Sequence, residues 1–318
     1  MSATQSAANG APPPPLGDAA RVLAQIRAAG LSQAAAAAEI GVSGGALSAW
    51  LKGKYKGDSH ALARKCDRWI ANRVDRAALE ASLPPPPQWV ETSAARKVVA
   101  ALGYAQLSRD LAVVHGAAGA GKTTAAKRYA GQRPNVWLVT MSRGTRSLGS
   151  CLRRVAQAVG AVPEGRSIAD VEDALAERLR GTGGLLAIDE AQCLSLPALD
   201  GLRQLHDASG TGLALVGGEA LWKRIAGDRA SAELAQLFSR VGRRVELAQP
   251  SDEDAAALLA AWEGLGESAR AAAGPVARQP GGLRALVKVM NWAASMAAGG
   301  EVERRHVAAA WKELGGTS

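Results

Sequence analysis

The sequence predicts an α/β protein: a parallel sheet with crossover helices, preceded by an all-α helix-turn-helix domain and followed by a small C-terminal helical domain. Three observations predict it. The glycine-rich stretch Gly116-Ala117-Ala118-Gly119-Ala120-Gly121-Lys122-Thr123 separates the apolar run Leu111 to His115 from a helical period over Thr124 to Ala130. Further apolar runs, Val136 to Met141, Leu185 to Asp189, Leu213 to Val216 and Arg244 to Leu247, alternate with helical periods, as strands joined by crossover helices do. Before Pro84 and from Ser251 onward, only helical periods occur.

Taken in order, residues 1–16 are small, polar and proline-rich and bury too little to order themselves, so a flexible tail is expected. Residues 17–82 read as short helices: Asp18 to Ala29, Ser32 to Ile40, Ser43 to Leu51 and Ser59 to Val74. Ser32 and Ser43 are N-cap residues, and Gly41 stands where a left-handed residue ends the second helix. That spacing is a helix-turn-helix. Pro84 to Pro87 form an extended spacer within a linker over 83–92, because each ring fixes φ and excludes helix for the residue before it. The α/β core then spans 93–249 and the helical domain 250–318.

Composition narrows the function classes. A formal charge of +9 favours a polyanionic partner such as nucleic acid, or else reflects a solvated basic surface. Cys66, Cys151 and Cys193 are odd in number and far apart, which excludes a disulfide framework or a zinc site and predicts buried, reduced thiols. The N-terminus has no basic and apolar leader, and no run of about 18 uncharged apolar residues occurs, so a soluble cytoplasmic protein with no membrane partner is expected.

The glycine-rich stretch carries the sharpest chemistry. Glycines at Gly116, Gly119 and Gly121 let the backbone curl through Ala117, Ala118 and Ala120, so that successive N–H groups point at one β-phosphate. The helix N-terminus at Thr123 and Thr124 adds its partial positive charge. Lys122 supplies a point charge to the β- and γ-phosphate oxygens, and Thr123 a hydroxyl for Mg²⁺. Downstream, the apolar run Leu185 to Ile188 ends in Asp189 and Glu190. Asp189 suits Mg²⁺ through water, and Glu190 suits orientation or deprotonation of the attacking water. ATP and Mg²⁺ are the expected cofactors, and the fold class is an α/β P-loop ATPase of the AAA+ type.

Other strand ends are less typical. Where AAA+ ATPases present a polar sensor, Val216 is followed by Gly217, Gly218 and Glu219. Either Glu219 substitutes or γ-phosphate sensing is weak, and slow turnover follows. Arg240, with Arg243 second, precedes the last strand at the place from which an oligomeric ATPase offers a guanidinium to its neighbour's γ-phosphate; a surface arginine cluster or a DNA contact is the alternative. Arg284, after Gly281 and Gly282, opens a helix as a sensor on the lid or as an ordinary helix-start arginine.

Several segments point to DNA. The reading side of the second helix of the pair offers only Ser43, Gly44, Gly45 and Ser48, which suits gripping the backbone better than reading bases. Lys52, Lys54 and Lys56 interleave with Tyr55, and Arg64, Lys65, Arg68, Arg73 and Arg76 follow, giving salt-sensitive, sequence-tolerant contacts or a solvated basic face. Arg143, Arg146, Arg153 and Arg154 after the second strand form a candidate DNA-tracking loop and helix, or an ordinary surface loop.

Together, the Trp50-Leu51-Lys52-Gly53-Lys54-Tyr55-Lys56-Gly57-Asp58 stretch beside the helix-turn-helix, the phosphate loop, the Asp189-Glu190 pair and the small helical C-terminus resemble the phage Mu B transposition-protein family and its Mu-like prophage members. The resemblance covers nearly the whole chain. It implies a prophage-encoded, AAA+-type protein of the bacterial host cytoplasm that binds double-stranded DNA in an ATP-dependent, largely sequence-nonspecific way. Such a protein assembles with itself as a helical filament, delivers target DNA to a cognate transposase and stimulates strand transfer. An ATP-switched helix-turn-helix regulator and a helicase-loader-like ATPase are the alternatives.

Overall fold

The computed structural model describes residues 19–82, 87, 89–226, 237, 239–262 and 264–316. The expected tail 1–16 and Pro84 to Pro86 of the expected spacer lie outside the described residues. The chain divides into two compact units, Met1–Leu83 and Pro84–Ser318.

In the first unit, α1 (Ala19–Ala28), α2 (Gln33–Ile40), α3 (Gly44–Leu51) and α4 (Ser59–Ser82) enclose a core of Val22, Ile26, Leu47, Trp50, Leu62, Cys66, Trp69 and Ile70. Capping sets the boundaries of the middle pair. Ser32 and Ser43 accept from the Ala35 and Ala46 N–H groups at 3.1 and 3.2 Å, and Gly41 ends α2 at φ 76°. The axes of α2 and α3 then differ by 106°, within the range of a helix-turn-helix. α4 runs to Ser82 rather than Val74, because Ala77, Ala78, Leu79, Glu80 and Ala81 are all strong helix formers. Its indole at Trp69 donates to Glu39 at 2.8 Å, and Arg73 reaches the same carboxylate at 2.8 Å; these hydrogen bonds, the indole first, lower the pKa of Glu39.

The second unit is a three-layer α/β/α arrangement. Helix α5 (Ser93–Ser108) leads into β1 (Leu111–Gly116), α6 (Lys122–Gln132), β2 (Val136–Thr140), α7 (Leu148–Val159), α8 (Ile168–Leu179), β3 (Leu185–Asp189), α9 (Leu196–Ser209), β4 (Gly212–Val216), α10 (Glu219–Ala226) and β5 (Val241–Leu247). The strands are all parallel in the order β2-β3-β4-β1-β5. Strand alternation sorts the two faces: Leu111, Val113, Ile188 and Leu215 meet α7, α8 and α9, whereas Ala112, Val114, Ala187 and Ala214 meet α5 and α6. The alanines on the second face let α5 come close, so that a Cβ at Gly212 would lie 2.2 Å from the Ala105 carbonyl oxygen.

Strands β1, β3 and β4 are wholly buried, while β5 alternates between half-buried and exposed positions. β5 is an edge strand, and it starts at Val241 rather than at the expected Arg244 because Val241 already pairs with Leu111, and Arg243 with Ala112, of β1, so the backbone ladder begins before the apolar run does. Beyond it, α11 (Asp252–Ala260), α12 (Glu267–Ala273), α13 (Gly282–Met296) and α14 (Arg304–Glu313) surround a separate cluster of Leu258, Leu259, Trp262, Leu286, Val289, Met290 and Val307. Buried Asp254 accepts from the Ser93 N–H at 2.6 Å and from its hydroxyl at 3.0 Å, which ties this helical part to the start of α5. Trp89 and Val90, placed in the expected linker, pack against the sheet core and the C-terminal cluster respectively. Among the described residues no single helix is long and apolar enough to cross a membrane.

Candidate nucleotide site

At the carboxyl edge of the sheet, Gly116 closes β1 and Lys122 opens α6, so the intervening loop turns its backbone toward the helix N-terminus. The Lys122 ammonium donates to the carbonyls of Gly116 at 2.9 Å and Ala117 at 2.7 Å. Burial lowers its pKa, against the opposing pull of Glu190 and Asp189. Thr123 Oγ1 donates to Asp189 Oδ2 at 2.9 Å, joining the first residue pair of α6 to the end of β3. Asp189 is buried and Glu190 half-buried, with Glu190 in left-handed backbone at φ 57°.

Lys122, Thr123 and Glu190 face one cavity of about 640 Å³. Its polar wall is Gly119, Gly121, Lys122, Thr123, Thr124, Glu190 and Arg284, and its apolar wall includes Trp89, Val90, Leu258, Leu283 and Val287. The volume and the mixed lining suit a nucleotide. A hydroxyl beside a carboxylate at the helix start is also the donor set Mg²⁺ takes when phosphate oxygens and waters complete its shell. Ala118 is exposed at the rim, while Gly116, Ala117 and Ala120 shape the loop from behind.

The start of α13 is joined to the loop through backbone. Leu283 N–H donates to the Gly119 carbonyl at 3.1 Å, and a Cβ at Gly119 would stand 1.8 Å from the Gly281 carbonyl oxygen. Gly119 also sits at φ 78°, so a side chain there is excluded twice. Gly119→Ala is expected to part the start of α13 from the loop and weaken ATP binding by about tenfold or more, equivalent to about 1.4 kcal/mol. A fluorescent-nucleotide titration giving wild-type affinity would show that the joint has no bearing on the site.

The structure therefore brings together Lys122, Thr123, Asp189, Glu190 and Arg284. Arg240 lies elsewhere: it precedes β5 at the opposite edge of the sheet, exposed, with a 3.4 Å contact to Asp207. Arg243 is not a loop residue as expected but lies within β5, donating to the Ala100 carbonyl at 3.3 Å and stacking over Tyr104. Glu219 opens α10 and is exposed, and the space beside the β4 glycines is filled by another residue, Gln192. Gln192, Trp89 and Lys288 went unrecognised in the sequence; Lys288 follows Arg284 by one helical turn on α13, which is a periodic signal, and Trp89 is the first aromatic after the prolines.

Of the candidate DNA residues, Lys52, Lys54, Lys56, Arg143, Arg146, Arg153 and Arg154 are exposed, and Ser48 is half-buried. Ser43 is exposed, with its hydroxyl engaged as the cap of α3. Arg143 lies in a single 3-10 turn, and the Arg146 carbonyl accepts from Ser195 N–H at 2.9 Å, so this loop is hydrogen-bonded to the turn after Glu190.

Residues 106–225 match the AAA domain family, and residues 239–314 match the family described as Mu B transposition protein, C terminal. The chain is 34% identical over 280 residues to the ATP-dependent target DNA activator B of Escherichia phage Mu, covering 87% of this chain and 88% of that protein. The chain belongs to the phage Mu B transposition-protein family. The protein of the same description from Escherichia phage D108 is also 34% identical with the same coverage. The Mu-like prophage FluMu DNA transposition protein B of Haemophilus influenzae is 35% identical over 81% of this chain and 90% of its own. Among solved structures, the Walker-type ATPase of Pyrococcus abyssi shares the fold at a TM-score of 0.50 and 16% identity, over 70% of this chain and 72% of that one. This Mu B family member is an α/β AAA-type ATPase that uses ATP.

Proposed function

We propose that this Mu B family member binds double-stranded DNA with little sequence preference when ATP is bound, assembles on it as a filament, and presents it to a transposase as the target for strand transfer. One observation carries this reading most: Lys122, Thr123, Glu190 and Arg284 line a single cavity, with Asp189 bonded to Thr123, in a chain 34% identical over most of its length to ATP-dependent target DNA activators. In that cavity Lys122 and the loop N–H groups hold the β- and γ-phosphates, and Trp89, Val90, Leu258 and Leu283 take the base. Thr123 and Asp189 would hold Mg²⁺, which would neutralise phosphate charge there. Glu190 orients the attacking water and accepts its proton, and Arg284 meets the γ-phosphate from the lid. Arg240, on the opposite sheet edge and exposed, serves the site of a second copy, which makes hydrolysis depend on assembly.

DNA contacts come from Lys52, Lys54, Lys56, the reading helix at Ser43 and Ser48, and the Arg143, Arg146, Arg153 and Arg154 surface. The hydrogen bond between Arg146 and Ser195 gives the last of these a direct line to the catalytic turn. Electron microscopy of the full chain with long duplex DNA tests the reading: filaments with ATP and none without it are expected, and a footprint confined to one short site would favour an operator-binding regulator instead. Replacing Lys52, Lys54 and Lys56 with alanine should weaken binding to all sequences alike and flatten the slope of log K against log salt by about 0.9 for each DNA phosphate that is no longer neutralised. An unchanged slope would remove that segment from the interface.

A further inference from the structure

Strand β4 lies between the strand that carries the phosphate loop and the strand that carries the carboxylates, yet Gly217 and Gly218 follow it directly and offer no side chain there. The space beside those glycines is taken. A Cβ on Gly217 would stand 2.3 Å from Gln192 Oε1, and that oxygen accepts from the Gly218 N–H at 3.0 Å. With the acceptor end of the amide fixed on β4, its donor end faces the active site, and Nε2 donates to Glu190 Oε2 at 2.5 Å. The reverse orientation would set an oxygen against the carboxylate and an NH₂ against an N–H.

The turn bearing Gln192 is itself held from three directions. Its own carbonyl accepts from Arg224 of α10 at 2.7 Å, Cys193 N–H closes back on the Glu190 carbonyl at 2.9 Å, and Ser195 N–H reaches the Arg146 carbonyl at 2.9 Å. Gln192 lines the cavity beside Glu190 and Lys122. Glu190 occupies a left-handed backbone that a side-chain-bearing residue adopts at a cost, so its carboxylate direction is set by the partners around it.

We propose that Gln192 is the positioning residue that does what a polar side chain on β4 would otherwise do: anchored on Gly218, it aims the Glu190 carboxylate at the water that attacks the γ-phosphate. The slot admits one side chain, supplied either from β4 or from the Glu190 turn, and here Gly217 is bare because Gln192 fills it. The inference rests on the ATPase reading of the site, and wild-type turnover measured alongside separates a failure of that reading from a failure of this one.

The test is steady-state hydrolysis by the full chain with DNA. Gln192→Ala should lower kcat by roughly tenfold or more, the scale of a misdirected catalytic group, with KM for ATP nearly unchanged. Adding Gly217→Asn to that variant should restore part of the lost kcat, because the emptied slot now receives an amide from β4. Wild-type kcat in Gln192→Ala overturns the proposal. So does a double variant no faster than Gln192→Ala.

Discussion

Lys122→Ala is expected to abolish ATP-dependent DNA binding while leaving the fold intact. The Lys122 ammonium is a half-buried cation whose partners in the protein are two carbonyls, at 2.9 and 2.7 Å. Against phosphate the same group makes charge-assisted bonds worth about 1.5–3 kcal/mol, so its loss should weaken ATP binding roughly 10- to 100-fold. Folding should suffer little, because burial already penalises the charge that is removed. Linkage makes the difference measurable: at ATP one hundred times the wild-type Kd, nucleotide adds about 2.7 kcal/mol to wild-type stability, and about 0.4 kcal/mol to a variant binding 100-fold more weakly. Thermal denaturation with and without ATP, paired with fluorescence polarisation on duplex DNA, reads both effects. A variant that binds DNA equally well with ATP would sever the phosphate loop from DNA binding.

Glu190→Gln should separate the two halves of the ATP cycle. Among the described residues, Glu190 is the carboxylate that lines the cavity wall, while buried Asp189 has an oxygen already bonded to Thr123. Removing a general base costs roughly 10²- to 10⁴-fold in rate, so phosphate release should fall by that order. Lys122, Thr123 and Asp189 remain, so ATP and DNA should bind as in the wild type and the complex should persist far longer once formed. Hydrolysis within a few-fold of wild type would reassign the base to another group.

Much of this was legible in the sequence where the physics is local. The caps at Ser32 and Ser43 and the Gly41 stop fix the α2–α3 pair by hydrogen bonds spanning three or four residues. Strand β3 was bounded correctly at Leu185 and Asp189 because a strand buried on both faces reads as an unbroken apolar run. Strand β5 begins three residues ahead of its apolar run because backbone pairing with β1, which leaves no local pattern, holds Val241 to Arg243. Trp89 and Val90 were read as linker because their partners, the sheet core and the C-terminal cluster, lie far along the chain.

The same division holds at the site. The sequence alone determined the phosphate loop, its lysine, and the carboxylate pair, since each role follows from residue types at short spacing on a strand end or a helix start. Only the tertiary structure decided which distant groups complete them. It set Thr123 on Asp189, laid the Gly281 turn against Gly119 and placed the Gln192 amide where β4 carries glycine. The reason is geometric: a parallel sheet in the order β2-β3-β4-β1-β5 brings the end of β4 between two strands remote from it in sequence, and no local pattern records which neighbour fills the gap.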